Sequence, residues 1–298
     1  MSLLTSLSGL LKDPPPAYAF ELSEAGIAAA EIGRPPRISF TPLEKDTISV
    51  SPLRDNVLRP ETLLSQVRAV ARGDGTRKRR RAALILPDYA VRVTVLDFDD
   101  FPSDAREQAS LIRFRLKRTV PFDVDAAAMS YQVQPGRAKQ KKLDVVVAIA
   151  PLEIVARYET PFRLAGFHLG WVTTSTLAVL ELVSSEGLKV LAKRSGRVLS
   201  LAVLDQGAPK LIRSIELSDS QPEEIAGHLF PTFAYTEDQI GASPDSLSLC
   251  GFGAATESIR SWLESELGIR TLPLASRLGE LGAHNAGLLG YLEALKES

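Results

Sequence analysis

Cysteine is nearly missing from this chain of 298 residues, with Cys250 standing alone. A single thiol excludes an internal disulfide framework and any zinc site built on cysteine pairs, and it suits a reducing compartment. Histidine is almost as scarce: His168, His228 and His284 fall on unrelated stretches, without the carboxylate or cysteine spacing of a metal site. No apolar run approaches the ~20 residues needed to cross a bilayer. The N-terminus lacks a basic stretch leading into an apolar one, so no secretory leader is expected. Nor does charge of one sign dominate. Lys and Arg number 35 against 36 Asp and Glu, a net charge of −1 that offers no global field to nucleic acid or anionic lipid. Asp97, Asp99, Asp100 and Asp104 cluster, but without the glycine and terminal glutamate of an EF-hand. No nucleophile elbow and no dinucleotide-binding glycine context occur either. The expectation is a cytoplasmic protein without a metal site, and its 45% hydrophobic content is that of a globular chain.

What the sequence does have is alternating strands and helices. Residues 18–22 and 27–32 read as a hairpin around Ser23-Glu24-Ala25-Gly26, followed by a strand at 38–42. Pro60 opens a helix with Leu63, Leu64, Val67 and Val70 on one face, and Gly73 stands where a C-terminal cap belongs. The stretch 81–122 carries the densest signal. Strand 82–86 is broken by Pro87-Asp88, strand 91–95 alternates apolar and polar, and a helix capped by Ser103 repeats Ala105, Ala109, Ile112 and Leu116 on one face before Val120-Pro121-Phe122 stops it. Strands at 129–133 and 145–149 follow, then a helix opened by Pro151 and closed by Gly166. Ser175 is expected to cap a short helix, and 197–204 with 210–217 to form a hairpin. Ser220 and Glu223 form a capping box, strand 246–250 feeds Gly251-Phe252-Gly253, and two amphipathic helices end the chain. Two halves that each open on a hairpin imply a mixed α/β protein with an internal duplication.

Two further segments draw notice. Leu3, Leu4, Leu7, Leu10 and Leu11 share a helical face before Pro14-Pro15-Pro16, as in a packed or partner-docking helix. Arg77 to Arg81 is a basic run, read most simply as a solvated loop.

The order of elements across 81–122, with the wording ILPDYAVRV and IRFRLKRTVPFDVDAA, resembles the PilM family, actin-like proteins of type IV pilus assembly related to the division protein FtsA. The resemblance implies an actin-like (ribonuclease-H-like) two-lobe fold with an FtsA/PilM-type inserted subdomain and a reduced second lobe. It divides the chain into a tail or short helix at 1–16, a first lobe at 17–88 and 168–190, the insertion at 89–167, a second lobe at 191–275 and a returning helix at 276–298. It also implies a nucleotide pocket, whose residues are eroded here. The family's first hairpin carries Asp-x-Gly; this chain has Glu21 and Ser23 in those places. Lys193 or Arg194 stands near the second acidic position, and the glycine-rich adenosine turn survives as Gly251-Phe252-Gly253, with Phe252 read as a core residue. The degenerate nucleotide residues are thus Glu21, Ser23, Gly251 and Gly253. No catalytic residue and no cofactor is expected, with ATP and magnesium reserved for a retained pocket.

What the resemblance retains is interaction. In the PilM family a groove beside the inserted subdomain receives the N-terminal cytoplasmic peptide of the bitopic inner-membrane protein PilN. The residues matched to such a site are Leu111, Phe114, Val120 and Phe122, rimmed by Arg115 and Arg118. The implied function is a scaffold at the inner face of the inner membrane, without nucleic acid and membrane-associated only through partners. Two alternatives stand: a functional actin-like ATPase, and a cytoplasmic domain resembling the type II secretion component GspL.

Overall fold

The computed structural model describes residues 16–70, 80–135, 142–219 and 221–297. The leucine-rich N-terminal segment, Gly73, Arg77 to Arg79 and Ser220 lie outside the described residues. The chain runs β1 (Tyr18–Leu22), β2 (Gly26–Glu31), β3 (Arg37–Pro42), α1 (Pro60–Val70), β4 (Arg80–Leu86), β5 (Arg92–Phe98), α2 (Ala105–Leu116), β6 (Ala127–Val133), β7 (Leu143–Pro151), α3 (Leu152–Leu164), β8 (Phe167–Thr174) and α4 (Ser175–Val179). It continues through β9 (Leu188–Ser195), β10 (Val198–Asp205), β11 (Ala208–Glu216), α5 (Pro222–Tyr235), β12 (Ser246–Cys250), α6 (Thr256–Leu267), β13 (Thr271–Pro273) and α7 (Ala286–Glu297).

These strands form three sheets. The first lobe has the order β3-β2-β1-β4-β8, with β4 and β8 parallel to β1; the second lobe has β11-β10-β9-β12-β13. Each lobe opens with antiparallel strands, β1–β2 in one and β9–β10 in the other, and continues with a parallel crossover strand. Between β4 and β8 the chain leaves the first lobe and builds a separate antiparallel sheet, β5-β7-β6.

Period-two alternation explains how the sheets join. In β7, Val145, Val147 and Ile149 face α2 and pack with Phe98, Ile112, Leu116 and Val120. Val146 and Ala150 point the other way, into an apolar cluster that also holds Phe20 and Leu84 of the first lobe, Tyr158 and Phe162 of α3, and Leu191, Ala202, Ile212 and Cys250 of the second lobe. One continuous core therefore runs through all three sheets. Outside it, α5 and α6 cover the far face of the second lobe, and α7 covers the alanine-rich face of β1, β2 and β4. Lys210 of β11 adds a polar tie, pairing with Asp144 of β7 at 2.5 Å where both side chains are little exposed (13% and 11%).

Several local expectations need correction. The cap of α2 is Asp104, not Ser103: its carboxylate accepts from the N–H groups of Arg106 and Glu107. Thr174, not Ser175, caps α4. Ahead of α5, Glu224 accepts from the N–H groups of Ser218 and Asp219; the Ser220–Glu223 box involves a residue outside those described. The second lobe begins with β9, which joins β10 through Ser195 to Arg197, so the hairpin expected at 197–217 is its second one.

The crossing of α7 over α4 depends on two glycines one helical turn apart, Gly287 and Gly290. A Cβ on Gly290 would run into the Ala178 carbonyl and lie 2.9 Å from Val179 Cα, whereas a Cβ on Gly227 of α5 would meet nothing within 4 Å. Gly290→Ala is expected to destabilise the protein by about 1–3 kcal/mol, and Gly227→Ala to stabilise it by up to about 1 kcal/mol. Denaturant melts of the two variants check this; equal effects would contradict the close packing of α4 and α7.

Candidate functional site: the cleft between the lobes

The two opening hairpins aim their turns at each other. Ser23, Glu24 and Ala25 from the first lobe and Ser195, Gly196 and Arg197 from the second line a cavity of about 490 Å³, completed by Asp88, Tyr89, Glu216 and His284. Ser23 is buried, and its hydroxyl exchanges hydrogen bonds with the backbone of Gly26, closing the β1–β2 turn on itself. Glu24 accepts from the Val50 N–H at 2.7 Å. Glu216 lies 3.9 Å from Arg197. Glu24 and Glu216 thus face this space beside the Arg197 guanidinium.

Below the cavity floor lies a buried cluster of charged side chains. Glu21, at the end of β1, is buried at 4% exposure; one carboxylate oxygen accepts from the Ser175 hydroxyl and the other from the Leu288 N–H at 2.8 Å. Asp88, just past β4, accepts from the Thr176 N–H at 2.6 Å and from the Lys193 ammonium at 2.8 Å. Each carboxylate therefore sits at the start of a helix, Glu21 at α7 and Asp88 at α4, where backbone N–H groups favour negative charge. Lys193 comes from β9 of the other lobe, on the same side of the strand as Leu191, and it and Asp88 are each 3% exposed. All four carboxylate oxygens already have a donor.

Burial raises the Glu21 carboxyl above the ordinary value, while Lys193, Ser175 and Leu288 pull it back. Burial alone would lower the Lys193 ammonium; Asp88 and Glu21 outweigh it and leave the group raised, firmly charged. Cys250, paired with Lys193 across β12 and β9, has its thiol pushed up to about 12, chiefly by burial, so it brings no charge to the cluster. Gly287 makes the approach of α7 possible, since a Cβ there would lie 2.7 Å from the Ser175 hydroxyl and 2.9 Å from Glu21.

The adenosine-turn residues lie elsewhere. Gly251, Phe252 and Gly253 do not line the cavity. Phe252 is 5% exposed in the second-lobe core, and Gly251 adopts φ +80°, where a Cβ would strike the Arg194 carbonyl. That glycine serves the close approach of β12 to β9. Of the four nucleotide-related positions, the structure brings Glu21 and Ser23 to the cleft and leaves Gly251 and Gly253 away from its cavity. Asp88 and Ser175, read from sequence as a turn residue and a cap, are the partners that complete it.

No protein-family model and no curated protein matches the chain by sequence. Among solved structures, a PilM–PilN type IV pilus biogenesis complex aligns with a TM-score of 0.77 at 19% identity, over 95% of this chain and 99% of that one. The cytoplasmic domain of EpsL, an inner membrane component of the Vibrio cholerae type II secretion system, aligns at 0.53 and 14% identity over 94% of both chains. A Bacteroides thetaiotaomicron protein with an actin-like ATPase fold and unknown function aligns at 0.53 and 13% identity, over 93% of this chain and 95% of that one. The fold is actin-like. Among the described residues no helix is long and apolar enough to cross a membrane, and no three His, Cys, Asp or Glu side chains are grouped to hold a metal ion.

For an actin-like cleft, a magnesium–nucleotide fits these residues badly. The carboxylates are occupied, an ammonium lies between the lobes, and the cavity does not extend to the glycine turn. Calorimetric titration with Mg-ATP is expected to give no dissociation constant tighter than about 10 μM, which corresponds to about −7 kcal/mol. Tighter binding would contradict this reading of the cleft.

Proposed function

We propose that this chain is a PilM-like scaffold of a type IV pilus or related inner-membrane assembly complex. It docks the cytoplasmic tail of a PilN-like bitopic protein at the inner face of the membrane, without nucleotide turnover. The observation that carries this reading is the likeness to a PilM–PilN complex along nearly the whole chain, at a TM-score of 0.77 against 0.53 for the secretion-system EpsL domain.

The inserted sheet and α2 supply the docking surface. Val120 is buried in the subdomain core and Leu111 and Phe122 are half-buried against it, so these three shape the surface from beneath. Arg115 is bound to the Asp97 carbonyl at 3.3 Å and lies over the Phe98 ring, which makes it a strut of the subdomain. Phe114 stands on the opposite side of α2 from Ile112 and Leu116, 72% exposed. Its neighbours one turn away are Ser110, Leu111, Lys117 and Arg118. An apolar anchor with two cations on its C-terminal side suits a tail segment offering a small hydrophobic pocket or stripe with acidic flanks.

A tail peptide that orders on binding is expected to bind with micromolar affinity. Phe114→Ala and Arg118→Glu are each expected to weaken it by about 5- to 10-fold with little change in melting temperature, since exposed positions seldom move stability by more than ~0.5 kcal/mol. Titration of a labelled N-terminal cytoplasmic peptide of a PilN protein checks this. Unchanged affinity in both variants displaces the surface; failure of any tail to bind the intact chain removes the scaffold reading.

A further inference from the structure

We propose that the Lys193 ammonium is a built-in counter-cation that holds the two lobes together across the cleft, so that this chain's own side chain sets their arrangement. The groups it serves come from the other side. Glu21, Asp88, Ser175, Thr176 and Leu288 all belong to the first-lobe sheet or the helices packed on it, and Lys193 alone crosses from the second lobe. Glu21 and Asp88 are both buried, and carboxylates that share a dry core repel each other unless a cation lies with them. Where a fold closes on a bound ligand, that cation and its partners arrive from solvent and the cleft opens when they leave. Here the cation is covalently part of β9, and the Lys193 and Asp88 side chains are both 3% exposed.

The neighbours of Lys193 are arranged to the same end. Leu191 and Cys250 beside it enter the apolar cluster shared by all three sheets, so moving the ammonium away from Asp88 would also open that core. The Cys250 thiol, held up at about 12, remains neutral beside it. Removing the lysine therefore leaves Asp88 and Glu21 buried without a counter-charge, the costly way to break a buried pair.

The test uses the full chain and three proteins: wild type, Lys193→Ala and Lys193→Met. Both variants are expected to melt lower by about 5–10 °C and to show a larger radius of gyration by solution scattering. Propylammonium supplies the atoms that the alanine variant lacks. It is expected to raise the melting temperature of Lys193→Ala above a sodium chloride control of equal ionic strength, and to leave wild type unchanged. If Lys193→Ala does not fold in plain buffer, recovery of folded protein on refolding with propylammonium supports the proposal, and no recovery overturns it. It is also overturned if Lys193→Met melts and scatters as wild type does, or if propylammonium acts no better on the alanine variant than sodium.

Discussion

A lysine ammonium buried against a carboxylate needs its counter-charge, and that requirement governs how the elements around it meet. Asp88 must leave β4 in a tight turn so that it reaches both the start of α4 and the other lobe. Glu21 must end β1 beneath the start of α7, which Gly287 permits by giving up its side chain. β12 must press against β9 through Gly251, bringing Cys250 alongside Lys193. Each of these contacts joins residues far apart in sequence, with Glu21 and Leu288 separated by 267 positions. The cluster is thus a meeting point of hairpin turn, helix start and second lobe, and its hydrogen bonds leave no carboxylate oxygen without a donor.

This constraint bears on function through rigidity. Actin-like proteins that turn over nucleotide need a cleft able to open and close, since closure assembles the site and opening releases product. In this chain the lobes share one apolar core, the inserted sheet contributes to the same core, and Lys210 ties the second lobe to the insertion at Asp144. A protein built this way is suited to present a fixed surface. The outer side of α2 carries the exposed Phe114 and is held by a subdomain core of its own.

The sequence disclosed the fold unevenly, for physical reasons. β1 and β5 were legible because turns with strong breakers bound them. β9 was not: Leu188, Val190, Leu191 and Ala192 are buried toward both faces of the sheet, so the stretch lacks alternation, and its end carries Lys193 and Arg194, which read as surface charge. The resemblance singled out Ser23 and Lys193. The replacement chemistry was hidden, because Asp88 looks like an ordinary turn residue after proline and Ser175 like a helix cap. Nothing in local spacing links them to β1 or β9. Likewise, Arg115 looked like a free rim cation until β5 placed Asp97 and Phe98 beside it.

If the lobes are fixed by the chain itself, docking of a partner tail and occupancy of the cleft are thermodynamically independent. The direct measurement is the affinity of the tail peptide with and without millimolar Mg-ATP, at constant ionic strength and free magnesium. The account predicts the same dissociation constant within about 2-fold; a change of about 10-fold or more, a coupling of about 1.4 kcal/mol, would show that nucleotide and partner speak to each other through a mobile cleft and would contradict it.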